Sequence, residues 1–170
     1  MNLEGRSVLL TGATGGIGQA VARALAARGA RLVLTGRRAD VLEPLATELS
    51  GRAVACDLAR PEEVERLLSD VGNADVLVAN AGLPASGALS SFSAEEIDRA
   101  LAVNLRAPMV LAKALSEGMV VRGHGHLVFV SSLSGKTASA GGSVYAATKF
   151  GLRGFALGLR DDLRDSGVGV

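Results

Sequence analysis

Two residues that could transfer a proton lie one helical turn apart in the second half of the sequence. The segment YAATK places Tyr145 and Lys149 four positions apart, and this spacing puts both side chains on one face of a helix. A free phenol has a pKa near ~10, which a neighbouring ammonium and the positive end of a helix both lower. Such a pair can act in general acid–base catalysis. The spacing alone more often means a solvated lysine beside a packed tyrosine, but Tyr145 is the only tyrosine in the sequence.

A hydroxyl that could bind a substrate oxygen comes shortly before this pair. The apolar run 127–130 predicts a strand that ends in Ser131 and Ser132. Ligands of open α/β sheets gather outside the carboxyl ends of the strands. Ser132 can therefore donate a hydrogen bond to a substrate oxygen, although serines are also ordinary turn residues at strand ends.

A glycine-rich segment near the N-terminus could bind phosphate. The stretch TGATGGIG at 11–18 follows an apolar run and precedes a helical pattern that ends at Gly29, a suitable helix C-cap residue. Its glycines fit two registers: Gly12, Gly16, Gly18 or Gly12, Gly15, Gly18. Bare backbone allows close approach of a ligand, and the N-terminus of the following helix attracts phosphate. The alternative interpretation is a glycine-rich turn without a ligand.

The overall composition excludes several classes of function. The sequence has 18 basic and 17 acidic residues, so no excess of positive charge favours nucleic acid. There is no signal-peptide pattern and no apolar run of membrane-spanning length. The single cysteine, Cys56, excludes an internal disulfide and suits the cytosol. His124 and His126 have no cysteine or carboxylate cluster beside them, so we predict no metal site. From the charge balance, the lengths of the apolar runs and the single cysteine, we predict a cytoplasmic protein without membrane or nucleic-acid partners.

Short apolar runs alternate with segments of helical periodicity along the whole sequence. This alternation predicts a single α/β domain over 1–170, a doubly wound parallel sheet of the Rossmann-like type. The predicted strands are Ser7–Thr11, Arg31–Thr35, Ala53–Cys56, Asp75–Ala79, His126–Ser131 and the start of a sixth at Val168–Val170. The predicted helices are Gly16–Arg28, Ala39–Leu49, Pro61–Val71, Ala94–Val121 and Ser143–Ser166.

The longest predicted helix contains a proline. Pro108 has no N–H, and its ring clashes with the carbonyl of Asn104 four residues earlier. The helix should therefore bend there and leave the Asn104 carbonyl free for water or a side chain. An ordinary proline kink around the core would explain the same feature.

Taken in order, these motifs resemble those of the short-chain dehydrogenases/reductases, in the branch with shorter, single-domain chains. The match runs from about residue 5 to the end and rests on Thr11-Gly12-x-x-x-Gly16-x-Gly18, Asp57-Leu58, Asn80-Ala81-Gly82, Asn104, Ser132 and Tyr145-x-x-x-Lys149. Gly15 also satisfies the glycine register of the longer branch. Asn80-Ala81-Gly82 and the thirteen-residue step from Ser132 to Tyr145 favour the shorter branch.

The resemblance implies a role for each matched residue. Tyr145 exchanges a proton with the substrate oxygen, Ser132 hydrogen-bonds that oxygen, and Lys149 lowers the pKa of the phenol and binds the nicotinamide ribose. The backbone carbonyl of Asn104 holds a water that links Lys149 to solvent. Asp57 contacts the adenine. Tyr145 is also expected to contact the cofactor. The remaining cofactor contacts expected are Gly12, Thr14, Gly15, Gly16, Ile17, Gly18, Leu58, Asn80, Ala81 and Gly82.

The end of the second strand suggests the choice of cofactor. NAD-preferring sites usually carry a carboxylate here, whereas this sequence has Gly36 and then Arg37 and Arg38. Arg37 can hold a 2′-phosphate, and Arg38 either assists or begins the next helix as a solvated residue. NADP is therefore predicted. NAD is the alternative, because Gly15 stands at a position where NADP-binding relatives often have a second basic residue.

The resemblance also implies strands and a substrate-covering segment beyond the sixth strand, so residues 1–170 are expected to be C-terminally incomplete. Two functions are open. One is an oxidoreductase acting on a small carbonyl or secondary alcohol substrate. The other is a catalytically silent nucleotide-binding module, or an inactive fragment of such an enzyme. Either should form a homodimer or homotetramer through the two long helices, which carry more apolar surface than one sheet face hides.

Overall fold

The computed structural model describes residues 2–170, which form a six-stranded sheet flanked by helices. The strands are β1 Ser7–Thr11, β2 Arg31–Gly36, β3 Arg52–Ala55, β4 Val76–Ala79, β5 Gly125–Phe129 and β6 Val168–Gly169. All neighbouring strands are parallel, in the order β3-β2-β1-β4-β5-β6. The chain winds outward from β1 to β3 and then crosses back to β4. This confirms the predicted doubly wound sheet, with its topological switch point between β1 and β4.

Six α-helices and three short helical turns connect the strands. The helices are α1 Gly16–Ala26, α2 Ala39–Glu48, α3 Pro61–Val71, α4 Ala94–Leu101, α5 Ala107–Arg122 and α6 Ser143–Asp162. A π turn at Ala102–Arg106 lies between α4 and α5, and 3₁₀ turns form at Leu89–Ser91 and Leu133–Gly135. Within residues 2–170, no helix combines the length and apolarity needed to cross a bilayer.

Hydrophobic side chains cover both faces of the sheet. Successive residues of β1 point to opposite faces, so Leu9 packs in one core while Val8 and Leu10 pack in the other. Helices α1 and α2 cover the face of Val8 and Leu10, and helices α3 and α5 cover the face of Leu9. Burial on both faces explains why the strands are continuous apolar runs without polar alternation.

The structure corrects several predicted boundaries. The single helix predicted over Ala94–Val121 is divided into α4, the π turn and α5. Strand β3 lies one residue earlier than predicted, and α6 ends at Asp162 instead of Ser166. Strand β5 ends at Phe129 because β4 ends at Ala79. The last ladder contact is the Val130 N–H, which donates to the Ala79 carbonyl at 3.0 Å.

The expected glycine signal at the end of α1 is confirmed. Gly29 has a φ of +77°, and its N–H donates to the Ala26 carbonyl at 2.9 Å. The next N–H, of Ala30, donates to the Leu25 carbonyl at 3.2 Å. This pair of bonds is a Schellman motif, in which a left-handed glycine stops the helix and turns the chain into β2.

Candidate active site

A cleft of about 430 Å³ opens beside the carboxyl ends of β1 and β4. Its position at the switch point is the usual ligand site of a doubly wound sheet. The cleft is lined by residues predicted as cofactor contacts: Gly12, Thr14, Gly15, Gly16, Ile17, Gly18, Arg37, Arg38, Asp57, Leu58, Asn80, Ala81 and Gly82. Four further residues line it that were not predicted as contacts: Gly36, Cys56, Leu83 and Val103.

The fold itself requires two of the glycines in this cleft. Gly12 has a φ of +67°, and a Cβ built on it would lie 2.7 Å from the Cα of Ala81. A Cβ on Gly18 would overlap the carbonyl group of Gly12. Gly12 therefore allows the β1–α1 turn to pack against the loop after β4, and Gly18 allows the start of α1 to pack against the turn itself.

The glycines between them face open space instead. A Cβ on Gly16 would meet no atom within 4 Å, and a Cβ on Gly15 would meet only the Gly12 carbonyl oxygen, at 3.6 Å. Helix α1 has no side-chain cap, and the N–H groups of Gly16, Ile17 and Gly18 donate no hydrogen bond among residues 2–170. Three free N–H groups on bare backbone at a helix N-terminus suit an anionic group such as phosphate.

A clamp of four part-buried hydrogen bonds holds the glycine turn to the loop after β4. Thr11 Oγ1 accepts the N–H of Asn80 at 3.1 Å and the N–H of Ala81 at 3.0 Å. In return, Asn80 Nδ2 donates to the carbonyls of Thr11 and Gly12 at 3.0 and 3.2 Å. This role of Thr11 could not be predicted from the sequence, because only the fold shows that β4 ends beside β1.

Two arginines follow β2 and lie differently. Arg37 is exposed at the rim, where the cleft meets a second cavity of about 350 Å³ that Arg60 also lines. The Arg38 side chain folds back over the glycine turn, and its Nη2 donates to the Thr14 carbonyl at 2.6 Å. Arg38 is exposed and precedes α2 as its N-cap residue, so it begins the next helix as one of the two alternatives predicted, while its side chain also contacts the glycine turn. The space at Gly36 is limited, because a Cβ there would lie 3.0 Å from Thr14 Cγ2.

Asp57 is held in place by an arginine that the sequence did not reveal. Its Oδ2 accepts a hydrogen bond from Arg99 Nη2 at 2.8 Å, and its Oδ1 accepts one from the Ala59 N–H at 3.1 Å. Burial raises the pKa of the Asp57 carboxyl. The hydrogen bonds from Arg99 and Ala59 and the charges of Arg99 and Arg37 outweigh burial, so its pKa lies below the ordinary value.

The thiol of Cys56 also lines the cleft, where its surroundings disfavour the thiolate. Burial, together with the negative charges of Glu63 and Asp57, raises its pKa to about 11. A thiol with this pKa stays protonated at neutral pH, and only the thiolate reacts. Cys56 packs in the core, as its position in an apolar strand predicted.

Lys149 is almost completely buried, with 3% of its surface exposed. Its Nζ donates to the Val130 carbonyl at 2.9 Å, at the end of β5. The same ammonium lies 5.7 Å from the ring centroid of Tyr145, which is close enough for a cation–π attraction. Burial lowers the pKa of Lys149 below its ordinary value.

Ser132 lies at the start of a turn that packs against α6. Its Oγ accepts the Ser134 N–H at 3.1 Å and so caps the 3₁₀ turn Leu133–Gly135. A Cβ on Gly135 would lie 2.9 Å from the backbone oxygen of Lys149, so the turn rests directly on α6. Ser132, Tyr145 and Lys149 do not line the 430 Å³ cleft itself. Of these three, Lys149 reaches the cleft wall, because its Nζ lies 3.6 Å from the Cβ position of Gly82.

The irregularity predicted near Pro108 is a π turn, in which the Ala107 N–H donates to the carbonyl of Ala102, five residues earlier. The Asn104 side chain is fully buried within this turn. Its Oδ1 accepts the Leu83 N–H at 2.7 Å, and its Nδ2 donates to the Leu83 carbonyl at 2.9 Å and to Thr148 Oγ1 at 3.2 Å. The sequence predicted a role only for the Asn104 carbonyl, and the contacts of the Asn104 side chain were not predicted.

Residues 6–170 match the protein family described as short chain dehydrogenase. The chain belongs to the short-chain dehydrogenase/reductase family. This family consists of NAD(P)-dependent oxidoreductases, so the predicted class of enzyme is confirmed.

Individual family members match over nearly the whole chain. Nodulation protein G of a Rhizobium species is 37% identical, over 99% of this chain and 71% of that protein. The 3-oxoacyl-acyl-carrier-protein reductase FabG of Escherichia coli is 32% identical, over 100% of this chain and 72% of that protein. A metagenomic short-chain oxidoreductase, solved in complex with NADP, superimposes with a TM-score of 0.89 at 37% identity, over 99% of this chain and 80% of that one.

Proposed function

We propose that the protein is an NADP-dependent oxidoreductase that interconverts a carbonyl compound and the corresponding secondary alcohol. The proposal depends most on the surroundings of Gly82, which lines the cleft. A Cβ built on Gly82 would lie 3.6 Å from Lys149 Nζ and 3.6 Å from Asn104 Oδ1. The helix that carries Tyr145 and Lys149 therefore meets the wall of the dinucleotide cleft.

In this proposal two side chains contact the substrate oxygen and a third supports them. Tyr145 exchanges a proton with it, and Lys149 supplies positive charge beside the ring and binds the nicotinamide ribose. Ser132 donates a hydrogen bond to the oxygen as negative charge develops there. The Asn104 carbonyl holds the water that connects Lys149 to solvent. A catalytically silent module would not need to keep all of these groups.

The cleft offers separate contacts for each part of the dinucleotide. The free N–H groups of Gly16, Ile17 and Gly18 bind the pyrophosphate, and the neighbourhood of Asp57 receives the adenine. Arg37 binds the 2′-phosphate, and no carboxylate at position 36 repels it. When bound, the nicotinamide gives or accepts the hydride, which is the redox half of the reaction. NAD is the alternative cofactor.

We propose further that residues 1–170 form one cytoplasmic domain that assembles as a homodimer or homotetramer through α5 and α6. Both helices carry large exposed apolar side chains: Met109, Val120, Val121, Phe150 and Leu157. Gly154 and Gly158 leave α6 without any neighbour where a Cβ would project, so another helix could approach closely. Light scattering at micromolar concentration tests this, and a monomer would contradict it.

A substrate screen tests the proposed reaction. The enzyme is mixed with NADPH and a panel of ketones, aldehydes and 3-oxoacyl thioesters, and with NADP and secondary alcohols, while the absorbance of the reduced nicotinamide is followed. The thioesters are included because the Escherichia coli relative is a 3-oxoacyl reductase by name. Turnover that disappears in Tyr145→Phe supports the proposal. Cofactor binding without turnover of any compound in the panel favours the silent module instead.

A further inference from the structure

A fully buried threonine lies inside the segment that carries the proposed proton donor. Thr148 has no exposed surface. Its Oγ1 donates to the backbone carbonyl of Tyr145 at 2.7 Å and accepts Asn104 Nδ2 at 3.2 Å. The hydroxyl therefore connects the Tyr145 segment to the π turn.

The direction of each hydrogen bond in this network is determined. The only hydroxyl hydrogen of Thr148 goes to the Tyr145 carbonyl, so its lone pairs face Asn104 Nδ2. The second amide hydrogen of Asn104 goes to the Leu83 carbonyl, and Asn104 Oδ1 accepts the Leu83 N–H. Every member has its partner, which is the condition under which a buried polar network rigidifies its surroundings.

The network joins three segments that are distant in sequence. Leu83 belongs to the loop after β4 and lines the cleft, Asn104 belongs to the π turn, and Thr148 belongs to α6. Asn104 Oδ1 and Lys149 Nζ then lie at equal distances, 3.6 Å, from the Cβ position of Gly82. The relative placement of the cleft wall and α6 thus depends on a chain of hydrogen bonds that passes through one hydroxyl.

We propose that Thr148 is a positioning residue that fixes Tyr145 and Lys149 relative to the cofactor cleft, through Asn104 and Leu83. The inference rests on the proposed function, because it assigns Thr148 an effect on the step that Tyr145 performs. Thr148 itself is enclosed and has no path to the substrate. Its effect reaches the reaction only through the orientation of α6.

The substitution Thr148→Val keeps the shape of the side chain and removes the hydroxyl. One amide hydrogen of Asn104 then lacks an acceptor, and Tyr145 is released from the π turn. Small misplacements of a catalytic group can cost about a hundredfold in rate, so we expect kcat to fall by about tenfold to a hundredfold. The dissociation constant of NADPH should stay within about threefold, because the phosphate contacts lie elsewhere and only the contact of Lys149 with the ribose is affected.

The kinetic test compares four proteins with NADPH and the carbonyl probe on which the wild type turns over fastest. Thr148→Ser restores the hydroxyl and should recover most of kcat. Thr35→Val serves as a matched control for a buried threonine outside the network and should keep the wild-type rate. The expected pattern is a large fall in kcat for Thr148→Val alone, with a dissociation constant of NADPH within about threefold of the wild-type value.

A double-substitution cycle separates positioning from a general structural effect. If Thr148 acts through the Tyr145 hydroxyl, then Thr148→Val should change the residual rate of Tyr145→Phe by less than about twofold. An equal loss in both backgrounds would overturn the inference, as would a wild-type kcat in Thr148→Val or an equal loss in Thr148→Ser.

The test also covers a Thr148→Val protein that does not fold and a wild type that turns over no carbonyl compound. If Thr148→Val does not fold, Thr148→Cys replaces it, since a thiol is of similar size and a weaker hydrogen-bonding group. Its kcat should lie between those of the serine variant and the residual rate of Tyr145→Phe, and a wild-type kcat would overturn the inference. A wild type that turns over no carbonyl overturns the proposed function and the inference together, whereas an active wild type with an equally active valine variant overturns the inference alone.

Discussion

Two buried threonines lie side by side at the ends of β1 and β2, and the same substitution should affect them in opposite ways. Thr11 and Thr35 are register partners in the parallel ladder, and their exposed fractions are 1% and 0%. Thr11 Oγ1 accepts the N–H groups of Asn80 and Ala81. Thr35 Oγ1 is buried without a hydrogen-bond partner among residues 2–170. Valine preserves the shape of each side chain and removes only the hydroxyl.

The magnitudes follow from the groups that each hydroxyl serves. In Thr11→Val the Ala81 N–H loses its acceptor, while the Asn80 N–H keeps the Val78 carbonyl at 3.1 Å. An unsatisfied buried donor costs about 1–3 kcal/mol, so the free energy of unfolding should fall by about 2 kcal/mol. Removing the unpartnered hydroxyl of Thr35 should raise it by about 1 kcal/mol.

Thermal unfolding followed by circular dichroism measures both effects under one set of conditions. For a chain of this length, 1 kcal/mol corresponds to about 2–4 °C in Tm. Thr11→Val should therefore lower Tm by about 4–8 °C and Thr35→Val should raise it by about 2–4 °C. Equal changes in the two variants, or a Thr11→Val protein as stable as the wild type, would refute the assignment of the clamp between β1 and β4.

Three further predictions concern the cofactor cleft. Arg37→Ala should weaken NADP binding by about tenfold or more while leaving NAD binding unchanged, as measured by calorimetric titration. Gly36→Asp should lower the preference for NADP over NAD in the same titrations, because it adds a charge that repels a 2′-phosphate and crowds Thr14. The lowered pKa of Asp57 contributes stability above its unfolded value of about 3.9, and this contribution disappears as pH falls through the folded value. Arg99→Met should therefore lower Tm at pH 7, and the difference from the wild type should shrink as the pH falls below the unfolded value of about 3.9.

The cleft could be predicted from the sequence because most of its phosphate-binding side is formed by one short segment. A strand, a glycine turn and a helix N-terminus follow one another within 7–26, and parallel topology brings the loop at Asn80 to the same edge. The contact of Arg99 with Asp57 could not be foreseen, since 42 residues separate them and neither type demands the other. The contacts of the Asn104 side chain depend on the π turn, whose geometry Pro108 suggests but does not determine.

The central claim is that Tyr145 exchanges the proton in an NADPH-dependent carbonyl reduction. The most direct measurement is the single-turnover rate of NADPH oxidation by Tyr145→Phe, with the dissociation constant of NADPH determined on the same protein. General acid–base catalysis is worth about 10²–10⁴-fold, so the rate should fall by that factor. NADPH binding should remain unchanged, because the ring is kept. A Phe variant that oxidises NADPH at the wild-type rate would contradict the claim.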